Sequence, residues 1–491
     1  MTAPTRILSV LAIVACALPA ATGSASASRS QVTILQDDSQ LIGSDGERRD
    51  AALDEWKGLG VDVVKIRLDW RDVSPDDKPS DPTDPAAYRA DRLQRYDAAV
   101  RGAIERGMPV YITLGGHAPK WASDDSPKGL PGGVQRPSAN LFEQFVKATG
   151  RRYSGDYTAP GDGSPLPRVA IWSIWNEPNL VSWLSPQKDA PEIYRNLVYA
   201  GYDGLSATGH AGDTILYGEL LPFARGNKTA GLRRHPIEFL REMACVDKSY
   251  RPYTGRSATK RGCTDFRPLP GSGLAHHPYT LAGGPDVRAT SADDASIGEL
   301  GRLTKALDRL RSRHRFAAGG RQALWSTEFG YQSDPPDPFQ TPIKKVPGFL
   351  GQAEWLAYKN PRVSAWSQYP FTDDAIPDSG TDRFGGFQSG IKTESGKEKP
   401  GVYNAFQYPF FVRLASGSKV EVFGGVRATG AGATVTIETR TGRGKWKSLG
   451  RLKTGEQGYF DRDYRLSAAA RRQYRFRYGS AKSRVARPVK A

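Results

Sequence analysis

Two glutamates stand in settings that suit proton transfer and nucleophilic attack. Glu177 follows Asn176 and precedes Pro178 at the end of the apolar run VAIWSIW, and Glu328 stands in ALWSTEFGY, a run of the same kind far downstream. A carboxylate delivered at the C-terminal tip of a buried strand, with an amide beside it, suits a catalytic acid better than a core residue. Two such carboxylates, one giving a proton and one acting as nucleophile or base, are what cleavage of a glycosidic bond requires. The competing reading makes both of them rim carboxylates in surface salt bridges.

These glutamates need elements to carry them. From about residue 31 to 405 short apolar runs alternate with longer amphipathic stretches. The strand candidates are QVTILQ, VDVVKIRL, PVYITLG, RVAIWSIW, DTILYGEL, SGLAHHPY, QALWSTEF and VSAWSQY. Between them lie helix-like segments such as YDAAVRGAIERG and IGELGRLTKALDRLRSRH. Strands that are apolar on both faces read as a parallel sheet covered by helices. Eight strand–helix units in this length fit an α/β fold of the (β/α)8 TIM-barrel type, with a doubly wound sheet as the alternative. Loops following the strands, rich in Pro, Gly and Asp, would wall the catalytic face.

Other polar residues fall at the same strand ends: Arg67 and Asp69 on strand 2, His117 on strand 3, His276-His277-Pro278-Tyr279 on strand 6 and Trp366 on strand 8. In a barrel all of them converge on one rim. Each has a plainer reading: Arg67 balances Asp69, His117 caps its own loop, and Trp121 and Trp183 pack loops. His276 reads as structural, and His277 reads either way. Adjacent side chains on a strand point to opposite faces, so the two histidines are a poor metal pair, and no metal or cofactor is expected in the chemistry.

With these residues in view, the chain resembles the clan A glycoside hydrolases, the retaining (β/α)8 group that includes the cellulase-like family 5 and the xylosidase-like family 39. The resemblance covers residues 31–405. It implies that Glu177, after Asn176 at the end of strand 4, is the acid/base, and that Glu328, in Thr327-Glu328-Phe329-Gly330 at the end of strand 7, is the nucleophile. Arg67, the His277-Pro278-Tyr279 segment and Trp366 fit positions that recur in that clan. Arg67 or the Tyr279 hydroxyl would steady the nucleophile's charge, and Asn176 would bond a sugar 2-hydroxyl. Trp366 would offer a flat face to the sugar ring, His117 a contact to a hydroxyl, and Trp175 an apolar setting for the acid. The implied retaining chemistry needs the two carboxyl groups about 5–5.5 Å apart.

The ends of the chain read differently. Residues 1–27 have the form of a secretory signal, with Arg6, the apolar stretch ILSVLAIVACALPA and Ala25-Ser26-Ala27 as cleavage site. The competing reading is a lipid anchor at Cys16. An exported protein retaining Cys245 and Cys263 is expected to pair them. After about residue 405 the pattern changes to short alternating runs, expected to form a small β-sandwich over 408–491. That segment has 19 Lys+Arg against 5 Asp+Glu, so it carries +14 of the formal net charge of +17. Such a charge would attract an anionic polymer such as an acidic polysaccharide, a cell-wall polymer or a nucleic acid, the plainer reading being a solvated, Arg-rich accessory sandwich packed on the barrel; nothing matches a sequence-specific nucleic-acid motif.

The expectation is a secreted, monomeric retaining β-glycosidase without a transmembrane segment, acting on a poly- or oligosaccharide. A catalytically silent carbohydrate-binding protein on the same scaffold is the alternative. Transglycosylation through the same intermediate stays open.

Overall fold

A computed structural model of the chain describes residues 28, 30–224, 232–280, 283–379 and 383–490. The expected leader, with Cys16, lies outside the described residues.

Eight parallel strands close into a barrel in chain order. They are β1 (Val32–Gln36), β2 (Val63–Asp69), β3 (Val110–Gly115), β4 (Ile171–Ile174), β5 (Thr214–Leu220), β6 (Gly273–His276), β7 (Ala323–Ser326) and β8 (Val363–Gln368). Closure between β1 and β8, with Ile34 opposite Ser367, sets aside the doubly wound sheet.

Alternation along each strand explains the two cores. Val64, Ile66 and Leu68 of β2 face the surrounding helices, in the large apolar layer that also takes Trp56, Phe142, Leu197 and Leu303. The other face points inward. There Ile34, Val63, Tyr111, Leu216, Ala275 and Ala365 fill the lower barrel as a separate apolar cluster. One layer above, the same alternation brings Lys65, Thr113, Ser173, His277 and Thr327 to the centre, where Glu219 joins them, all buried. The barrel is thus apolar at its base and polar just under its C-terminal mouth.

Beyond the helix Val402–Gln407 come two antiparallel sheets. One has β9 (Phe410–Ser416), β10 (Lys419–Gly425) and β13 (Tyr459–Arg465) in the order β9-β10-β13. The other has β11 (Thr434–Thr441), β12 (Lys447–Lys453), β14 (Arg472–Tyr478) and the short β15 (Ala481–Lys482), in the order β12-β11-β14-β15. Val412, Val422, Ile437, Tyr474 and Phe476 form a core between them, so this part is the expected sandwich.

The sandwich is keyed to the barrel by a buried ion pair. Both Arg427 guanidinium contacts to Glu354 of the helix Val346–Tyr358 are 2.6 Å, and the same guanidinium donates to Thr33 of β1 at 2.6 Å. Trp355 and Tyr358 of that helix pack on Phe411 and Phe423. Elsewhere, Cys245 and Cys263 form the expected disulfide.

Candidate active site

Three residues that carry the site have left-handed backbones. Among the described residues eight non-glycine residues have positive φ, and Trp175 (64°), Glu177 (41°) and Glu219 (48°) are three of them. Such conformations cost roughly 1–3 kcal/mol each and persist where the surroundings hold them in place. Here the backbones support one another: Trp175 N–H donates to Leu114 O at 2.7 Å, and Glu177 N–H to Glu219 O at 3.1 Å.

Glu219 reaches the barrel centre through a bulge. The β5–β6 register shifts between Gly218 and Leu220, and Gly218 has φ 115°. A Cβ at Gly218 would lie 2.4 Å from Ala275 O, so only glycine fits. The extra residue turns Glu219 inward, a common use of a bulge beside a site. Glu219 Oε1 accepts from Ser173 at 2.7 Å, Thr113 at 3.2 Å and the Tyr111 hydroxyl. Its Oε2 accepts from Thr327 at 2.5 Å, His277 Nε2 at 2.7 Å and Lys65 Nζ at 3.2 Å. Burial alone would raise its carboxyl, but the Lys65 charge and the His277 contact hold it well below the usual carboxylate range.

His277 is the hub. Its Nδ1 lies 2.9 Å from Glu177 Oε1 and 3.5 Å from Glu328 Oε2, opposite the Nε2 contact to Glu219. Burial pulls an imidazole down, yet the Glu328 charge and the contacts to Glu177 and Glu219 lift this one to about 9. At neutral pH His277 is an imidazolium. Lys65 Nζ also faces Glu328, 3.7 Å from its Oε1, and the Tyr279 hydroxyl donates to Glu328 Oε2 at 3.2 Å.

Glu177, His277 and Glu328 each place one ligand-type atom within 4.8 Å of the other two, close enough to surround a cation. With a carboxylate on each ring nitrogen, however, His277 needs a proton on both, which leaves no lone pair for a metal. The arrangement suits proton handling between two carboxylates.

The remaining expected residues divide. Arg67 is fully in place on β2, its guanidinium 5.0 Å over the Trp183 ring. Burial pulls it down, but the charges of Asp38, Asp69 and Glu328 hold it above its ordinary value, so Asp69 is one partner of several. Asn176 is buried beside Glu177, its Oδ1 without a hydrogen-bond partner among the described residues.

Three expectations need correction. His117 uses both nitrogens on protein, Nε2 on Ser182 O at 2.9 Å and Nδ1 on Arg71 at 3.2 Å, and stacks on Trp183 at 4.9 Å. It fastens the loop after β4 and leaves no ring nitrogen for a hydroxyl. Trp366 alternates outward from Ala365, into the layer beneath the helices, 3% exposed and 4.7 Å from Phe329. It presents no face to the mouth. Trp175 likewise turns outward onto Phe142, so the immediate neighbour of Glu177 is an imidazolium rather than an indole.

Several participants were not anticipated from the sequence. Lys65, Glu219 and Tyr369 are among them, Tyr369 following β8 with its hydroxyl pushed up by burial and by the Glu328 charge. One recess opens beside Glu177 and a second lies at the end of β2. One, about 340 Å³, is lined by Glu177, Leu221, Tyr279, Tyr331 and Phe387. The other, about 480 Å³, is lined by Asp38, Arg67, Asp69 and Arg71. Phe339, on the loop after β7, is 79% exposed.

No protein-family profile matches the sequence, and no curated protein sequence does. Solved structures do. A family 39 glycoside hydrolase from Bacteroides cellulosilyticus WH2 aligns over 91% of this chain and 81% of its own, with TM-score 0.52 and 16% identity. The GH39 enzyme of Xanthomonas axonopodis pv. citri aligns over 96% of both chains, with TM-score 0.52 and 15% identity. This chain therefore has the fold of these family 39 glycoside hydrolases, barrel and following sheets together.

Proposed function

We propose that the protein is a secreted retaining β-glycosidase acting on a poly- or oligosaccharide. The carrying observation is the approach of Glu177 and Glu328 oxygens to within 4.8 Å. An approach of this order suits the roughly 5–5.5 Å of double displacement better than the roughly 6.5–9.5 Å of an inverting enzyme.

In the first step a Glu328 oxygen attacks the anomeric carbon while the bond to the leaving oxygen breaks. Glu177 gives its proton to that oxygen, so the alcohol departs and a glycosyl ester remains. In the second step Glu177 takes a proton from water, the hydroxide oxygen bonds to the anomeric carbon, and Glu328 leaves as carboxylate. Tyr279 and Lys65 steady Glu328 before attack. The recess walled by Glu177 receives the leaving group, because the acid must face the oxygen it protonates.

Secretion is supported by the leader-like residues 1–27 and the disulfide. Among the described residues no helix is long and apolar enough to cross a membrane. The sandwich is read as a holdfast for an anionic wall polymer, on the strength of its charge and of Trp446, which lies 4.5 Å from the Arg440 guanidinium and 4.2 Å from that of Arg475.

The deciding experiment is turnover of a panel of aryl β-glycosides and polysaccharides by the mature protein and by Glu328→Ala. Wild-type activity that collapses in the variant supports the reading and names the sugar. Polysaccharide binding without turnover of any substrate would instead favour a silent binding protein.

A further inference from the structure

The barrel centre holds a buried charge pair, of which Lys65 faces Glu328 and Glu219 forms no bond to substrate. Lys65 and Glu219 have side-chain exposures of 1% and 0%. Burying such a pair is costly, and apolar residues of similar volume often serve stability as well or better. Glu219 takes six donors on two oxygens, which saturates it and leaves it no place in bond making.

What distinguishes the pair is what it holds. Both cations that face the reactive carboxylates are anchored on Glu219 Oε2: Lys65, 3.7 Å from Glu328, and His277, between Glu177 and Glu328. The local charges are three carboxylates against two cations, one proton short of neutrality. In a low-dielectric interior an uncompensated charge is expensive, so a proton on Glu177 completes the balance. The other groups facing this centre alter the balance little. The hydroxyls of Tyr111, Tyr279 and Tyr369 stay neutral, their ionisation pushed well up by burial. His276 is turned away onto Ala295 O, and Arg67 and Arg71 stand against Asp38 and Asp69.

We propose that Lys65 and Glu219 are positioning residues: Glu219 clamps His277 from the deep side so that its Nδ1–H serves whichever of Glu177 and Glu328 is negative, and holds Lys65 as a fixed positive charge against Glu328. The proposal rests on the glycosidase reading. During the first step the sugar bonds to Glu328 and neutralises it, and Glu177 becomes anionic as its proton leaves with the alcohol. Total charge is unchanged and has moved from one carboxylate to the other across one imidazolium. The distances of 3.5 and 2.9 Å let a single N–H follow that movement.

The test uses the full mature chain labelled with ¹⁵N-histidine, the His277 ring signals being assigned by their loss in His277→Asn. In the wild type, His277 is expected to stay doubly protonated through neutral pH and to lose a proton near 9. Glu219→Gln keeps the shape and removes the anion, so this loss should fall by about one pH unit or more. The alkaline limb of kcat/KM on an aryl glycoside should move with it. In Lys65→Met kcat/KM should fall at least about tenfold while the melting temperature stays within a few degrees, because Glu328 loses a facing cation. An ordinary histidine titration in the wild type would overturn the proposal, and that measurement requires no variant to fold. So would a Glu219→Gln variant whose kcat or melting temperature falls while His277 titration and the alkaline limb stay in place. If no glycoside is turned over, the glycosidase reading fails, whereas the titration still reports on the clamp.

Discussion

Glu219 meets His277 Nε2 at 2.7 Å, on the far side of the ring from Glu177. An imidazole held between two carboxylates keeps both protons, so the site carries a fixed cation at the point where negative charge is handed over. The following expectations follow from that geometry.

If Glu328 is the nucleophile of the proposed reaction, Glu328→Ala should lower kcat by at least about 10⁴-fold, in the range seen when a covalent catalyst is removed. Loss of Glu177 should cost roughly 10²–10⁴-fold on substrates whose leaving group needs a proton. On aryl glycosides with very acidic phenols the Glu177→Ala loss should shrink, whereas the Glu328→Ala loss should not. Steady-state rates across a leaving-group series check both.

Tyr279→Phe removes one donor from Glu328 and nothing else of size. A hydrogen bond to a charged group contributes about 1.5–3 kcal/mol, so kcat/KM should fall roughly 10- to 150-fold. Melting temperature should change little, and an unchanged kcat/KM would place the hydroxyl outside the reaction.

The adjacent histidines give stability opposite pH dependences. His277 is raised from 6.5 to about 9, so its contribution is complete below about 6.5 and is lost as pH rises through 9. Burial holds His276 neutral, lowering it to about 4, so its contribution is present above 6.5 and is lost as pH falls towards 4. Urea midpoints measured from pH 4 to 10 should therefore peak near 6–7. His277→Asn should flatten the alkaline side alone.

Arg427→Met would leave Glu354 buried and unpaired, where burial already pushes its carboxyl up. The loss expected is about 3–5 kcal/mol, with much of it returned in Arg427→Met/Glu354→Leu. Chemical denaturation of the single and double variants provides the comparison.

On the outer face of the second sheet, Arg451 and Arg477 flank Thr436 in register. Glu438 pairs with both Arg475 and Arg477, at 2.7 and 2.8 Å, and offsets one of their two charges, to which Arg440, Arg451 and Lys453 add. Retention on an acidic polysaccharide should weaken with salt and with Arg451→Glu/Lys453→Glu. A sandwich that retains no anionic polymer at low salt would remove the holdfast reading.

The barrel was legible because its strands are apolar on both faces and separated by amphipathic helices, a pattern that local composition carries. Both glutamates were legible for the same reason, as carboxylates ending apolar runs. What escaped notice lay within the strands. Lys65 is two residues before Arg67, so alternation alone puts it on the same inward face. Glu219 in DTILYGEL is another charge inside an apolar run. Its inward turn depends on a bulge, which spacing does not reveal. Trp366 was misjudged by one residue of alternation: an aromatic that looks ready for a sugar faces the helices when its neighbour Ala365 fills the barrel. His117 lost its ligand role to Ser182 and Arg71, partners whose approach only the folded loops bring about.

The contact between Arg427 and Thr33 joins residues 394 positions apart, and β1 also pairs with β8, more than 300 residues away. The barrel's first strand is made earliest and is tied down last. A chain emerging from a ribosome or a translocon cannot complete its opening strand until nearly all of it has appeared. Shortening the C-terminus by some eighty residues would thus remove a late lock on the beginning of the enzyme, and the sandwich is better regarded as the final stage of the barrel's assembly than as a passenger.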